Sequence, residues 1–352
     1  MKGMNLSNKI LDKNIKNMKL LKGIGQDSYY DTFISFESIN NIFYLVYSNK
    51  EDSIVIYNII YSQKISEIKS GKDIRIEKLR HHLDKKNKRD LIIALYSLIY
   101  PCIYIWNILN CECLINIRER DVYVHLNDIC ILNDNNKDSI FLCFYESSLK
   151  EYDFKGNLIK AYKEYSKENN HNMNIYYDDK TKNNFIITYN YGYIKSYNYN
   201  INKYYKFKDI DDKEEAHYES SIYESNGKKI LIDGSHLAII RIWDFHSTIL
   251  IKKIKIEGID SFSCMCIWNE KYIFIGKSDG IIRIVDITTG KILKKLKGHK
   301  RRVVNLRKIG IPQYGDYIIS QEKTIYNMEG PHELKVWGIQ LPSNKIKLRN
   351  YK

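Results

Sequence analysis

Between positions 291 and 308 the chain carries Lys291, Lys294, Lys295, Lys297, Lys300, Arg301, Arg302, Arg307 and Lys308 and no acidic residue. Cationic side chains at this density suit an anion: an acidic protein segment, a phosphate backbone or an anionic lipid surface. Single-stranded nucleic acid favours aromatics that stack on its bases, and this run has none. Acidic or peptide segments of protein partners are therefore the first expectation, with Lys297, Lys300, Arg301, Arg302 and Arg307 to hold them. Nucleic acid or anionic lipid comes second. A smaller basic cluster, Lys85, Lys86, Lys88 and Arg89, and an acidic stretch, Asp209, Asp211, Asp212, Glu214 and Glu215, complete the local charge features. For each of these a solvated surface is the alternative. The net charge of +14 sets 56 Lys and Arg against 42 Asp and Glu. Lys, Asn, Tyr and Ile all have AT-rich codons, so base composition offers a second source for that excess.

Groups able to do catalysis or hold a metal show no working spacing. The sequence has no P-loop, no G-x-S-x-G, no H-E-x-x-H and no EF-hand loop. His81, His82, His125, His171, His217, His236 and His332 form no recognisable ligand set. Cys111 and Cys113, like Cys264 and Cys266, stand two apart, which on a strand merely places them on one face. No cofactor and no metal are expected, and the chain reads as non-enzymatic. Its seven cysteines are odd in number and scattered, several in apolar runs. Buried free thiols in a reducing compartment fit this, hence an intracellular place in cytoplasm or nucleus. The first five residues open no apolar leader. The uncharged stretch between Asp90 and Glu112 has the length of a membrane span, but Tyr100-Pro101 divides it into 91–97 and 102–108. That predicts a buried hairpin and no transmembrane segment.

The elements that must position these groups follow from one repeat. A short alternating strand ending in an aromatic and then Asp or Asn returns seven times: Ile240-Arg241-Ile242-Trp243-Asp244 is the clearest copy, and Ile103-Tyr104-Ile105-Trp106-Asn107 another. Val285 and Gly338 are departures from the pattern. The closing residues fall at 58, 107, 153, 198, 244, 286 and 338, so successive copies lie 42 to 52 positions apart. A four-stranded propeller blade takes roughly 40–45 residues. The spacing predicts an all-β fold, a seven-bladed β-propeller with blades of four antiparallel strands, forming one domain over 1–352. Blade six shows its strands best, at 262–267, 272–276, 281–285 and 292–296, with Ser278-Asp279-Gly280 as a hairpin turn. First strands read less clearly than second strands.

Trp243-Asp244, and Gly298-His299 ahead of a blade's first strand, are the residues on which the chain resembles the WD40 family. The resemblance implies rigid loops around a channel mouth that present peptide-binding surfaces. It also implies a non-enzymatic scaffold or adaptor subunit of an intracellular multiprotein complex. A propeller binding RNA or an anionic membrane through its basic patch is the alternative. His299 is then structural, bonded inward to Ser320 and Trp337, with no Asp at the expected turn, which 326–333 lengthens. Asp279 holds that turn position in blade six, but without a His or Trp. Trp106 and Trp243 are expected to cover blade junctions and Asp244 to close its strand. Arg241 is expected to point away from Trp243 and to tolerate Ala. Phosphoinositide-binding relatives carry a paired arginine next to Gly, whereas Val303 follows Arg301-Arg302 here.

Closing the ring needs an outer strand for blade seven. Met18-Lys19-Leu20-Leu21-Lys22-Gly23 looks like Leu293-Lys294-Lys295-Leu296-Lys297-Gly298, so 15–23 is expected to pair beside Val336. The alternative closes the blade with 346–348. Residues 1–10 are expected to be disordered and 343–352 to form a tail.

Overall fold

The computed structural model describes residues 17–26, 32–49, 53–69, 75–97, 102–118, 126–134, 137–144, 149–162, 172–209, 217–225, 227–235, 237–268, 271–311, 315–322 and 332–338. They form seven sheets of four antiparallel strands, the blades of a β-propeller. Strand β1 (Lys19–Gln26) precedes blade one, which holds β2 (Phe33–Glu37), β3 (Phe43–Ser48), β4 (Ile54–Asn58) and β5 (Gln63–Ile68). Blade two holds β6 (Arg75–Asp84), β7 (Arg89–Ser97), β8 (Cys102–Asn107) and β9 (Cys113–Arg118). Blade three holds β10 (Leu126–Asp134), β11 (Lys137–Phe144), β12 (Leu149–Asp153) and β13 (Leu158–Tyr162). Blade four holds β14 (Asn172–Asp178), β15 (Asn183–Asn190), β16 (Tyr193–Asn198) and β17 (Lys203–Phe207). Blade five holds β18 (His217–Ser225), β19 (Lys228–Ser235), β20 (Ile239–Asp244) and β21 (Leu250–Lys255). Blade six holds β22 (Cys264–Ile267), β23 (Tyr272–Gly276), β24 (Ile282–Asp286) and β25 (Ile292–Leu296). Blade seven takes β26 (Val303–Ile311), β27 (Gly315–Glu322) and β28 (His332–Gly338), and β1 as its outer strand.

Burial grades across each blade and explains the sequence of its strands. Second strands such as Phe43–Ser48 and Tyr272–Gly276 are buried at every position, because a neighbouring blade covers each face. They therefore read as unbroken apolar runs. Outer strands, such as Leu158–Tyr162, are exposed except at one residue. The apparent membrane span is the β7–β8 hairpin, paired from Leu91↔Asn107 to Tyr96↔Cys102. No helix among the described residues is long and apolar enough to cross a membrane.

The core consists of clusters at the blade junctions, and each joins one blade to the next. The residue before the end of every repeat copy enters the junction with the preceding blade. Tyr57 packs against blade seven, Trp106 against one, Tyr152 against two, Tyr197 against three, Trp243 against four, Val285 against five and Trp337 against six. An apolar wedge is what that position requires, so Tyr or Val can replace Trp. The next residue does a different task. Side-chain oxygens of Asn58, Asn107, Asp153, Asn198, Asp244 and Asp286 accept backbone N–H groups two or three residues on, at 2.7–3.1 Å. These Asx turns start the hairpin to the outer strand.

Gly338 departs from that rule for a topological reason. Its sheet continues into β1 rather than into a hairpin, so there is no turn to cap. The site is also crowded: a Cβ there would lie 2.5 Å from the Tyr317 ring and 2.9 Å from Leu21 Cδ1. Strand β1 runs antiparallel to β28, with Leu20 opposite Trp337 and Lys22 opposite Val336. The closing strand thus comes from the N-terminal side, starting at Lys19 and reaching Gln26. Residues 1–10, 346–348 and 343–352 lie outside the described residues.

One expectation is overturned by burial. Arg241 is 0% exposed, not a tolerant surface position. Residues two apart on a strand share a face, so Arg241 lies on the same side as Trp243, and both reach Asp233.

Candidate binding face and channel mouth

Each inner strand starts at one face of the ring and ends at the other. Loops from an outer strand to the next inner strand therefore open on the first face, and turns from inner to second strands open on the second. The turn 85–88 lies on the second face, where Lys85, Lys86 and Lys88 are exposed. Arg89 starts β7 instead and donates from Nε to Asp84 at 2.8 Å. The loop between β25 and β26 lies on the first face.

That geometry splits the basic run. Lys291 precedes β25 and Lys294 and Lys295 lie on it, at the rim. Lys297, Lys300 and Arg302 are exposed on the first-face loop, with Arg301 half-buried between them. Lys308 turns to Asp316, at 2.8 Å, and lies over the Trp268 ring. Arg307 does not join the loop. It lines the central channel, so the five expected contact residues divide into four on the loop and one inside the ring.

A buried network fixes the loop from beneath. Trp337 Nε1 donates to Ser320 Oγ at 2.6 Å, and Ser320 Oγ lies 2.6 Å from His299 Nε2. His299 Nδ1 faces Glu322 Oε2 at 3.3 Å. Glu322 also accepts the backbone N–H of Lys300 at 2.9 Å and of Arg301 at 3.3 Å. Burial disfavours its charge, but His299 and those two N–H groups outweigh the penalty and hold its carboxyl down at about 2. Gly298 is needed for approach: a Cβ there would stand 2.8 Å from Trp337 Cη2. Glu322, at the end of β27, thus supplies the carboxylate that no turn Asp provides. Its signal was position alone, two residues beyond Ser320.

Blade five has a second network that sequence reasoning missed. His217 Nδ1 lies 2.9 Å from Asp233 Oδ1, and Trp243 Nε1 donates to Asp233 Oδ2. Arg241 Nη1 is 3.7 Å from Asp233, and its Nε donates to Asp209 at 3.2 Å. Lys253 Nζ also meets Asp209, at 2.6 Å. Asp209 is therefore buried in ion pairs rather than part of an exposed acidic stretch; Asp211, Asp212, Glu214 and Glu215 lie outside the described residues. In blade six Asp279 pairs with Arg283, Oδ2 to Nη2 at 2.5 Å. Asp244 accepts from Ser247 and serves the turn alone. All seven cysteines are free thiols, five of them buried; Cys111 is half-buried and Cys113 exposed.

The channel mouth holds a cavity of about 180 Å³. Its walls are the early residues of inner strands: Lys78 and Arg80 on β6, Asp128 on β10, Asn172 and Asn174 on β14, Asn305 and Arg307 on β26. It therefore opens on the face that carries Lys300 and Arg302. Arg80 Nη2 donates to both Asp128 oxygens, at 2.6 and 2.7 Å, and Lys78 Nζ donates to Asn172 Oδ1 at 3.0 Å. Burial penalises the Asp128 carboxylate, yet Arg80, Lys78 and the N–H groups of Met173 and Ile129 keep its carboxyl below the ordinary range.

Compared with known proteins, the chain matches no family model and no curated protein; its likeness to WD40 repeats rests on its own residues and on seven four-stranded blades.

Proposed function

We propose that the protein is a non-enzymatic interaction scaffold whose first face holds an acidic segment of a protein partner. β-propellers commonly serve as protein-interaction scaffolds. The observation that carries the reading is the loop with exposed Lys297, Lys300 and Arg302, anchored through Glu322 to a buried network. A cationic loop fixed in advance loses little entropy on binding and repels wrong partners by charge. Lys300→Glu with Arg302→Glu changes exposed side chains only, so folding should be retained while attraction becomes repulsion. The test is affinity purification of both proteins after nuclease treatment. A stoichiometric protein partner lost from the double variant, and retained when Lys85 and Lys86 are reversed on the opposite face, supports the reading. Binding that follows RNA or anionic vesicles and falls steeply with salt refutes it in favour of the nucleic-acid or membrane alternative.

A further inference from the structure

The geometry points to a phosphate-binding site in the mouth of the central channel, held by Lys78, Arg307 and the side-chain amides of Asn172 and Asn305. The cavity, about 180 Å³, is an order of magnitude beyond what one water needs. Among the described residues, three basic side chains line it, Lys78, Arg80 and Arg307, against one carboxylate, Asp128, a formal net of +2. Asp128 is committed to the wall. It accepts two bonds from Arg80 and one each from the backbone N–H groups of Ile129 and Met173. Glu77, beside Lys78 on β6, is a second acid whose field reaches that ammonium.

Lys78 keeps some contact with the channel solvent but is otherwise surrounded by protein. That enclosure pushes its pKa below the ordinary lysine range; Asp128 opposes the shift, while Arg80 and Arg307 add to it. An arriving anion offsets that shift with its own negative charge, which favours the ammonium, and in a recess of low dielectric the interaction is strong. Lys78 bonds Asn172 with one of three protons, so donors remain for a ligand.

A phosphomonoester fits this lining better than a carboxylate does. It carries about −1.5 to −2 charges and three acceptor oxygens arranged in three dimensions. The donors likewise line the cavity from β6, β14 and β26, separate blades of the ring. Because inner strands position them, the site requires no closure of a loop.

The test uses the full chain and inorganic phosphate, with chloride at matched ionic strength as the control. Phosphate should raise Tm saturably, by a few degrees, and chloride should not. Arg307→Gln and Lys78→Gln should each weaken the effect roughly tenfold or more, whereas Lys300→Glu with Arg302→Glu should leave it unchanged. That last result separates the channel site from the loop, whose failure or success is read by the purification above. A short, otherwise neutral phosphoserine peptide that saturates below inorganic phosphate identifies the source as a protein-borne phosphate. Equal or weaker peptide binding identifies a free phosphate compound. No saturable effect of phosphate, or an effect that Arg307→Gln leaves intact, overturns the site. Arg307 is half-buried, so this variant decides the matter even if Lys78→Gln fails to fold.

Discussion

Blades two and seven place the same tryptophan at the same point of the third strand, yet only one closes a hydrogen-bond network. Trp106 sits opposite Ile92 and Trp337 opposite Ile318. Two residues further along the second strand, blade seven has Ser320 and blade two has Ala94. Trp337 finds its acceptor, while Trp106 Nε1 is enclosed without one among the described residues. Blade five repeats the arrangement of blade seven with Asp233 in place of the serine, two residues beyond Leu231, which opposes Trp243. Blade four has the converse defect: Thr188 holds the acceptor position, but its aromatic is Tyr197, whose hydroxyl bonds Asn202 instead. The wedge and the network are separate inventions, and a blade can keep the first without the second.

The largest test of that separation lies in blade five. Arg241→Ala would leave Asp233 and Asp209 buried with a lost cation and should cost about 3–5 kcal/mol. Trp243→Ala should cost a similar about 3–5 kcal/mol through its cavity, against about 2 kcal/mol or less for the half-buried Trp106→Ala. Urea unfolding measures all three, and equal losses at Trp106 and Trp243 would break the comparison.

Next comes acid. Glu322 titrates near 2 when folded, against 4.5 ordinarily, so its stabilisation is complete above the unfolded value and fades as pH falls from about 4.5 toward 2. Glu322→Gln should lose about 2 kcal/mol at neutral pH and should make the loss of stability between pH 5 and about 2 less steep than in the parent. A variant that retains the parent's acid profile would remove Glu322 from the network. Ser320→Ala follows, at about 1–3 kcal/mol, because it strands the Trp337 N–H. The smallest effect sharpens the comparison from the other side. Ala94→Ser would supply blade two with the missing acceptor and should gain up to about 1 kcal/mol; a loss in thermal unfolding would show that position two beyond the Trp partner is not the acceptor site there.

The repeat was legible because two adjacent positions each demand a residue type: a large apolar wedge at Trp243 and a turn-capping oxygen at Asp244. The inner strands were obscure for a physical reason. Bulges shift the register between Ile76 and Lys78, Leu126 and Asp128, His217 and Glu219, and Val303 and Asn305. An extra residue reverses alternation midway, so period-two reading fails where the channel is lined. Charge density at 291–308 was visible, but not that Arg307 would leave its neighbours for the channel. Nor could sequence show a cavity whose Lys78, Asn172 and Arg307 are separated by most of the chain. Arg241 was misread through an error of parity rather than for want of signal.

The junction of β1 with β28 pairs Lys19 with Gly338, and this sets an order in time. A ribosome adding about 5–20 residues per second needs roughly 15–60 s between finishing the first of these strands and starting the last. Throughout that interval Lys19–Gln26 has no partner, and Leu20, Leu21 and Ile24 are available to any other sheet edge. The ring is therefore slowest at its seam, and the seam is where a second copy of the chain, or a chaperone, can compete with the native strand.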